Sequence, residues 1–174
     1  MKNKAHSKPW PPVAIVEIGT FTGATTVRIV KQLPDAVVHT IDLGPNDSIQ
    51  NEHLTDFHLI KRRDIVGREI AARRSDCPGI FQHYGDSATY DFSLFAPDCF
   101  APPTCFFIDG SHSYFYTRND SEKSFALCNG HGLFFWHDAN AAHPGVLKLL
   151  EEWRWLGRDI RLISSTTLAY WNST

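Results

Sequence analysis

The sequence predicts an α/β protein, a mostly parallel sheet with helices on both faces. Three observations carry this. Short apolar, β-rich runs recur at Val13–Ile18, Val37–Ile41, Phe81–Tyr84, Cys105–Ile108, Leu133–Trp136, Ile160–Ile163 and Leu168–Trp171. Most lack polar alternation, the mark of strands covered on both sides. Stretches with helical spacing lie between them, and strand–helix alternation builds βαβ units. Finally, 174 residues at 43% hydrophobic and 13% aromatic, with formal net charge -2, suit one globular domain and exclude global disorder.

Each element follows from its local pattern. The first run leads through a glycine-containing loop into Thr25–Leu33, where Val27, Val30 and Leu33 line one helical side. After the second run the chain takes a long route from Gly44 to Ile80, well beyond the usual connection of about 2–6 residues. That insertion holds a helix around Ile65–Arg74 and a basic cluster: Lys61, Arg62, Arg63, Arg68, Arg73 and Arg74. A solvated helical face accounts for the cluster, and so does a lid or a contact for an acidic substrate. Tyr114–Cys128 carries Tyr114, Arg118, Ser121, Phe125 and Cys128 on one stripe, a weaker helical pattern. Val146, Leu149, Leu150 and Trp153 give a clean amphipathic helix, and Gly157 ends it. Only Ser164–Thr167 part the last two runs, too short a link for a crossover helix. The final strand is therefore expected to run antiparallel to its neighbour. Trp136, Trp153 and Trp155 read as core or helix-packing residues, and His131, between two glycines, as a turn residue.

Composition narrows the function. A near-neutral charge argues against a nucleic-acid binder, which usually carries a basic excess. Cys77, Cys99, Cys105 and Cys128 form no Cys-x-x-Cys pair and are too sparse for a disulfide scaffold. Reduced thiols in a cytoplasmic protein are the simpler reading. The basic opening MKNKAHSKPW is followed by no apolar run of signal-peptide length, and nothing approaches the roughly 20 apolar residues of a membrane span. The expectation is one domain over 1–174, with 1–12 as a tail and 44–80 as an insertion between the second and third strands. No membrane and no nucleic acid is expected as a partner.

The chemistry lies where the strands end, because open α/β sheets bind ligands outside their carboxyl ends. The first strand runs into Glu17-Ile18-Gly19-Thr20-Phe21-Thr22-Gly23, and the second ends at Asp42. The third ends at Gly85-Asp86-Ser87, the fourth at Asp109-Gly110-Ser111-His112, the fifth at His137-Asp138. A single Asp at a strand border is common as a cap, but five successive acidic ends on one edge are not. The glycine loop is not the dinucleotide fingerprint, which needs glycine at positions 21 and 24, where Phe21 and Ala24 stand. A pyrophosphate would also be repelled by so many carboxylates. A ligand with a positive centre and a diol fits better, with Asp42 placed to accept from two ribose hydroxyls.

In this order the segments E-I-G-T-F-T-G, T-I-D-L, G-D-S, F-I-D-G-S-H-S-Y and F-F-W-H-D resemble class I S-adenosylmethionine-dependent methyltransferases. Within them the chain is most similar to the small-molecule O-methyltransferases of the macrocin and mycinamicin type, over Val13 to Trp171. The resemblance implies a Rossmann-like sheet of seven strands with the last antiparallel, in agreement with the elements above. It implies S-adenosyl-L-methionine as cofactor, contacted by Glu17, Gly19, Thr20, Phe21 and Gly23, with the loop cradling its methionine part. Asp42 would hold the ribose, and Asp86 and Ser87 would lie beside the adenine. Asp109 would sit near the methyl donor and bind a divalent cation, Mg²⁺ or another, with Asp138 as second ligand. His112 matches the general-base histidine of the sugar enzymes, where catechol-type relatives carry lysine. His137 stands where those enzymes place an acidic ligand, and a ligand role and a structural one both stay open for it.

Methyl transfer from a sulfonium is an in-line displacement that needs proximity and a nucleophilic acceptor oxygen. His112 could take the acceptor's proton, or simply hydrogen-bond backbone at a turn. His137 and Asp138 can both reach one ion only if the strand ends before them, since neighbours on a strand face opposite sides. Asn140 is a substitute donor. The implied activity is O-methylation of a small hydroxylated molecule, a sugar or natural product. An inactive methyltransferase-fold binding module and a cephalosporin-hydroxylase-like enzyme are the alternatives. A nicotinamide oxidoreductase is disfavoured by the missing middle glycine. With strands reaching from Val13 to Trp171, the chain reads as a catalytic sheet without a cap. The 44–80 insertion, or a second copy in a homo-oligomer, would then cover the acceptor.

Overall fold

The computed structural model describes residues 13–47, 63–96 and 103–173. The tail 1–12, residues 48–62 of the insertion with Lys61 and Arg62, and Cys99 lie outside the described residues. In chain order the elements are β1 (Ala14–Ile18), α1 (Ala24–Gln32), β2 (Val37–Asp42), α2 (Arg68–Ala72), β3 (Ile80–Tyr84) and β4 (Cys105–Ile108). These are followed by α3 (Tyr114–Leu127), β5 (Leu133–Trp136), α4 (Pro144–Trp155), β6 (Arg161–Leu162) and β7 (Ala169–Asn172).

All seven strands form one sheet in the order β3-β2-β1-β4-β5-β7-β6. β1 pairs in parallel with β2 on one side and β4 on the other, so the chain reverses its strand order there. A crevice opens at such a reversal, at the carboxyl ends. β7 pairs antiparallel with both β5 and β6, as the short Ser164–Thr167 link requires.

Side-chain alternation along β1 divides the interior in two. Ile15 faces α1 and α2, packing with Val27, Val30, Val38 and Ile70. Val16 and Ile18 face the other way, into a larger core with Phe106, Phe134, Trp136, Leu149, Leu150 and Trp153. Phe106 stacks on Phe134 at 5.0 Å, and Trp153 meets Trp136 edge-on at 5.6 Å. Each such side chain, fully buried, stabilises the fold by about 1.5–3 kcal/mol. Among the described residues no helix is long and apolar enough to cross a membrane.

Several local expectations change in this setting. Leu33 caps α1 and is 49% exposed, leaving Val27 and Val30 as the buried stripe. Trp155 is 84% exposed at the end of α4, unlike Trp136 and Trp153. α2 is shorter than the sequence pattern, because Gly67 takes φ 72 just before it. α3 buries Tyr116, Thr117, Asp120, Ser121 and Ser124; of the expected stripe Ser121 and Cys128 are buried, Tyr114 and Phe125 half-buried and Arg118 exposed. Its inner face is polar because it has polar work to do. The Trp136 indole N–H donates to Ser121 Oγ at 2.8 Å, and Ser121 Oγ donates to the Thr117 carbonyl at 2.6 Å.

Replacing Ser121 with Ala strands that indole N–H inside the core, a loss of about 1–3 kcal/mol. For a chain of this size the thermal midpoint should fall by about 5 °C. Calorimetry on the variant checks it, and an unchanged midpoint would show that the bond contributes nothing.

Candidate functional site

The loop between β1 and α1 lies at the strand-order reversal and is tied down on three sides. Its backbone begins with Gly19, whose N–H donates to the Ile41 carbonyl at 2.9 Å. Gly19 takes φ 99, and a Cβ there would overlap the Asp109 carbonyl. Glycine is required on both grounds. The Phe21 N–H donates to Asp42 Oδ2 at 2.7 Å, holding Phe21 at φ 44 and leaving its ring 41% exposed. Asp42 Oδ1 accepts the Leu43 N–H at 2.7 Å. Burial pushes the Asp42 carboxyl up, and the backbone N–H donors oppose that. From the outer side, the Gly67 and Glu69 N–H groups donate to the carbonyls of Phe21 and Thr22 at 2.7 and 2.8 Å. The described end of the insertion thus buttresses the glycine loop, while Arg68, Arg73 and Arg74 stay exposed. Gly23 makes room for Ile70 of α2, so its missing Cβ serves the packing of the insertion against the loop.

Two of the predicted cofactor residues turn inward. Glu17 is 1% exposed and lies under the loop, accepting from the hydroxyls of Thr26 and, at 2.7 Å, Thr40. Thr20 is buried too, its hydroxyl 2.7 Å from that of Thr40. Residues of β1 alternate faces, and Glu17 falls on the side covered by α1. Of the five acidic strand ends, Glu17 alone is withdrawn from the edge; Asp42, Asp86, Asp109 and Asp138 stay partly exposed.

Asp86 starts a turn, not a helix, accepting the Ala88 N–H at 2.9 Å on Oδ1. Its other oxygen accepts from the Tyr116 hydroxyl at 2.9 Å. Lys123 donates to the carbonyls of Ser87, Ala88 and Tyr90 at 2.7, 2.8 and 3.0 Å. α3 therefore clamps the 86–90 turn against the site. Tyr116 and Lys123 belong to no motif, so nothing local in the sequence marks them.

Across the crevice the structure brings Asp109, His112, His137 and Asp138 together, and adds His143. β5 stops at Trp136, and Asp138 takes φ 54, a left-handed turn that Asp tolerates better than most residues. That break lets His137 and Asp138 face the same space. His137 Nδ1 is 3.2 Å from both Asp109 Oδ1 and Asp138 Oδ2. His112 Nε2 is 3.2 Å from Asp138 Oδ2 and 3.8 Å from Asp109 Oδ1. His143 Nε2 is 3.7 Å from Asp138 Oδ2, and its ring lies 4.2 Å from that of His112. Asn140, the expected substitute donor, spends its Oδ1 on the Ala142 N–H. His143 precedes Pro144, the first residue of α4, and Gly145 lets that helix press against the His112–Tyr114 backbone. The His-Pro-Gly run was the available signal for His143.

Two triads of ligand atoms, Asp109–His137–Asp138 and His112–Asp138–His143, are each close enough to hold a metal ion. His137 Nδ1 is buried without a hydrogen-bond partner, so the donor set fits a cation.

The sequence of residues 16–139 matches a family model described as a methyltransferase domain. No curated protein sequence matches the chain. Among solved structures it superposes on one described as a caffeoyl-CoA O-methyltransferase from Staphylococcus aureus, with TM-score 0.62 and 16% identity. That alignment covers 93% of this chain and 76% of the other. CalS11, a TDP-rhamnose 3'-O-methyltransferase of calicheamicin biosynthesis, gives TM-score 0.61 and 16% identity over 92% and 72% of the two chains. MycE of the mycinamycin pathway, in complex with Mg and SAH, gives 0.56 and 17% over 93% of this chain but 45% of its own length. At these identities the structural likeness shows the fold.

Burial pushes the Glu17 carboxyl from its ordinary 4.5 up to about 7, against the hydroxyls of Thr26 and Thr40. The folded state then holds this proton more tightly than the unfolded chain. The stability it contributes is full below pH 4.5 and is lost as pH rises towards 7. Glu17→Gln removes the titration, so the denaturation midpoint of the variant minus that of wild type should rise over that interval. A flat difference would mean the carboxyl does not carry a proton inside.

Proposed function

The chain belongs to the methyltransferase-domain family, and from that premise we propose an S-adenosylmethionine-dependent O-methyltransferase acting on a small hydroxylated molecule. A sugar or natural product is the acceptor class, His112 is the general base, and Asp109, His137 and Asp138 hold a divalent cation. Residues 1–174 act in this reading as one cofactor-binding unit. The observation that carries it is a juxtaposition: a glycine loop fastened to Asp42 faces the Asp109/His112/Asp138 cluster across one crevice.

The residues divide the work. Asp42 accepts backbone N–H groups of the loop, Phe21 on one oxygen and Leu43 on the other, and a carboxylate has further lone pairs to offer ribose hydroxyls. Gly19 lets the loop close against the Asp109 carbonyl, and the 86–90 turn, fixed by Tyr116 and Lys123, would border the adenine. S-adenosylmethionine, when bound, supplies a methyl group on a positively charged sulfur. His112 takes the acceptor proton on an imidazole nitrogen. Asp138, 3.2 Å away, stabilises the imidazolium that results. A divalent cation held by Asp109, His137 and Asp138 would lower the acceptor's pKa and align its oxygens.

Titration calorimetry with S-adenosylmethionine tests the premise, and absence of binding at millimolar ligand would overturn it. Asp42→Ala should weaken that binding about tenfold or more, a loss of about 1.4 kcal/mol or more. An unchanged affinity would remove Asp42 from the site. His112→Ala should leave cofactor affinity intact while turnover on a panel of hydroxylated sugars and catechols falls about 100-fold. Product mass must show one added methyl group. An added oxygen would favour the hydroxylase reading.

A further inference from the structure

We propose that the Asp109–His137–Asp138 site takes a transition-metal ion in preference to Mg²⁺, with His137 Nδ1 as the selecting ligand. This deepens the cation role proposed above and rests on it. The imidazole nitrogen is buried and has no hydrogen-bond partner, although two carboxylate oxygens stand only 3.2 Å away. A buried polar nitrogen at that distance from two acceptors would normally donate to one of them. Its position is accounted for when its lone pair, like those of the carboxylates, is aimed at the space between the three atoms.

The spacing agrees. Ligands about 2.0–2.2 Å from one ion, at octahedral or tetrahedral angles, stand about 2.9–3.5 Å apart. Both distances from His137 Nδ1 fall inside that range. The wider surroundings are nitrogenous as well, since His112 and His143 direct Nε2 atoms to within 3.2 and 3.7 Å of the same Asp138 oxygen. Mg²⁺ takes oxygen ligands and dehydrates reluctantly, whereas imidazole suits Fe, Ni, Cu and Zn ions. With an imidazole fixed among its nearest donors, the site discriminates against Mg²⁺ by ligand type. The break at Asp138, with φ 54, holds that imidazole on the same side as the carboxylates.

The full chain, stripped with EDTA, is titrated separately with Zn²⁺, Mn²⁺ and Mg²⁺ by calorimetry. Pulsed electron paramagnetic resonance is then recorded on the Mn²⁺ form. The expected result is imidazole nitrogen coupling to Mn²⁺ in wild type and its loss in His137→Ala. His137→Asp restores an oxygen donor, and should shift the ratio of Zn²⁺ to Mg²⁺ affinity towards Mg²⁺ by about tenfold or more. The Asp variant keeps a negatively charged ligand set, so it remains informative where the Ala variant does not fold. Absence of nitrogen coupling in wild type, or an unchanged affinity ratio in His137→Asp, would overturn the proposal while leaving a cation role in place. Failure to bind any of the three ions would overturn both. S-adenosylhomocysteine affinity of the stripped protein, measured in parallel, reports on the methyltransferase reading independently.

Discussion

The site depends on one close approach of backbone to backbone, where β1 leaves the sheet beside the end of β4. Gly19 lies against the Asp109 carbonyl with no room for a Cβ, and its φ of 99 suits glycine. This contact sets two things together. It turns the chain into the loop that Asp42 fastens through Phe21, and it fixes Asp109 at the mouth of the crevice. The Asp109 N–H donates to the Ile18 carbonyl at 2.8 Å, so the register of β1 against β4 runs to the edge of the site.

Beneath that loop the protein has placed a buried polar layer in a position that could have been apolar. Glu17, Thr20, Thr26 and Thr40 are all buried and joined by hydrogen bonds. A buried carboxyl is costly unless its oxygens are satisfied, and burial here drives it towards its neutral form. What the arrangement provides is direction. A hydrogen-bonded layer fixes the relation of β1, β2 and α1 more tightly than interchangeable apolar contacts would. The loop above therefore rests on a rigid floor, and α2 holds it from the side through Gly67 and Glu69.

The opposite wall is built by α3 on the same principle. From its inner face Ser121 accepts the Trp136 indole N–H on the core side, and Tyr116 and Lys123 donate to the 86–90 turn on the site side. A helix used in this way shows little apolar periodicity, which is why its pattern in the sequence was weak and its predicted stripe only partly buried. The clean stripe of α4 reflects an apolar face that packs on Trp136 and Phe134.

Local pattern was enough to determine the strands, most helices, the antiparallel last strand and the acidic carboxyl edge. Each depends on side-chain periodicity, turn length or the residue that follows a strand, and these are properties of short segments. The resemblance in the ordered motifs was equally legible, because motifs are local too. Tertiary structure alone decided which way Glu17 and Thr20 point, what Gly23 makes room for, and that His143 joins His112, His137, Asp109 and Asp138. These outcomes rest on contacts between distant segments, such as Ile70 against Gly23 and Gly145 against the His112 carbonyl. The sign of φ at Asp138 belongs with them, since an Asp adopts either sign and only the packed end of β5 selects one.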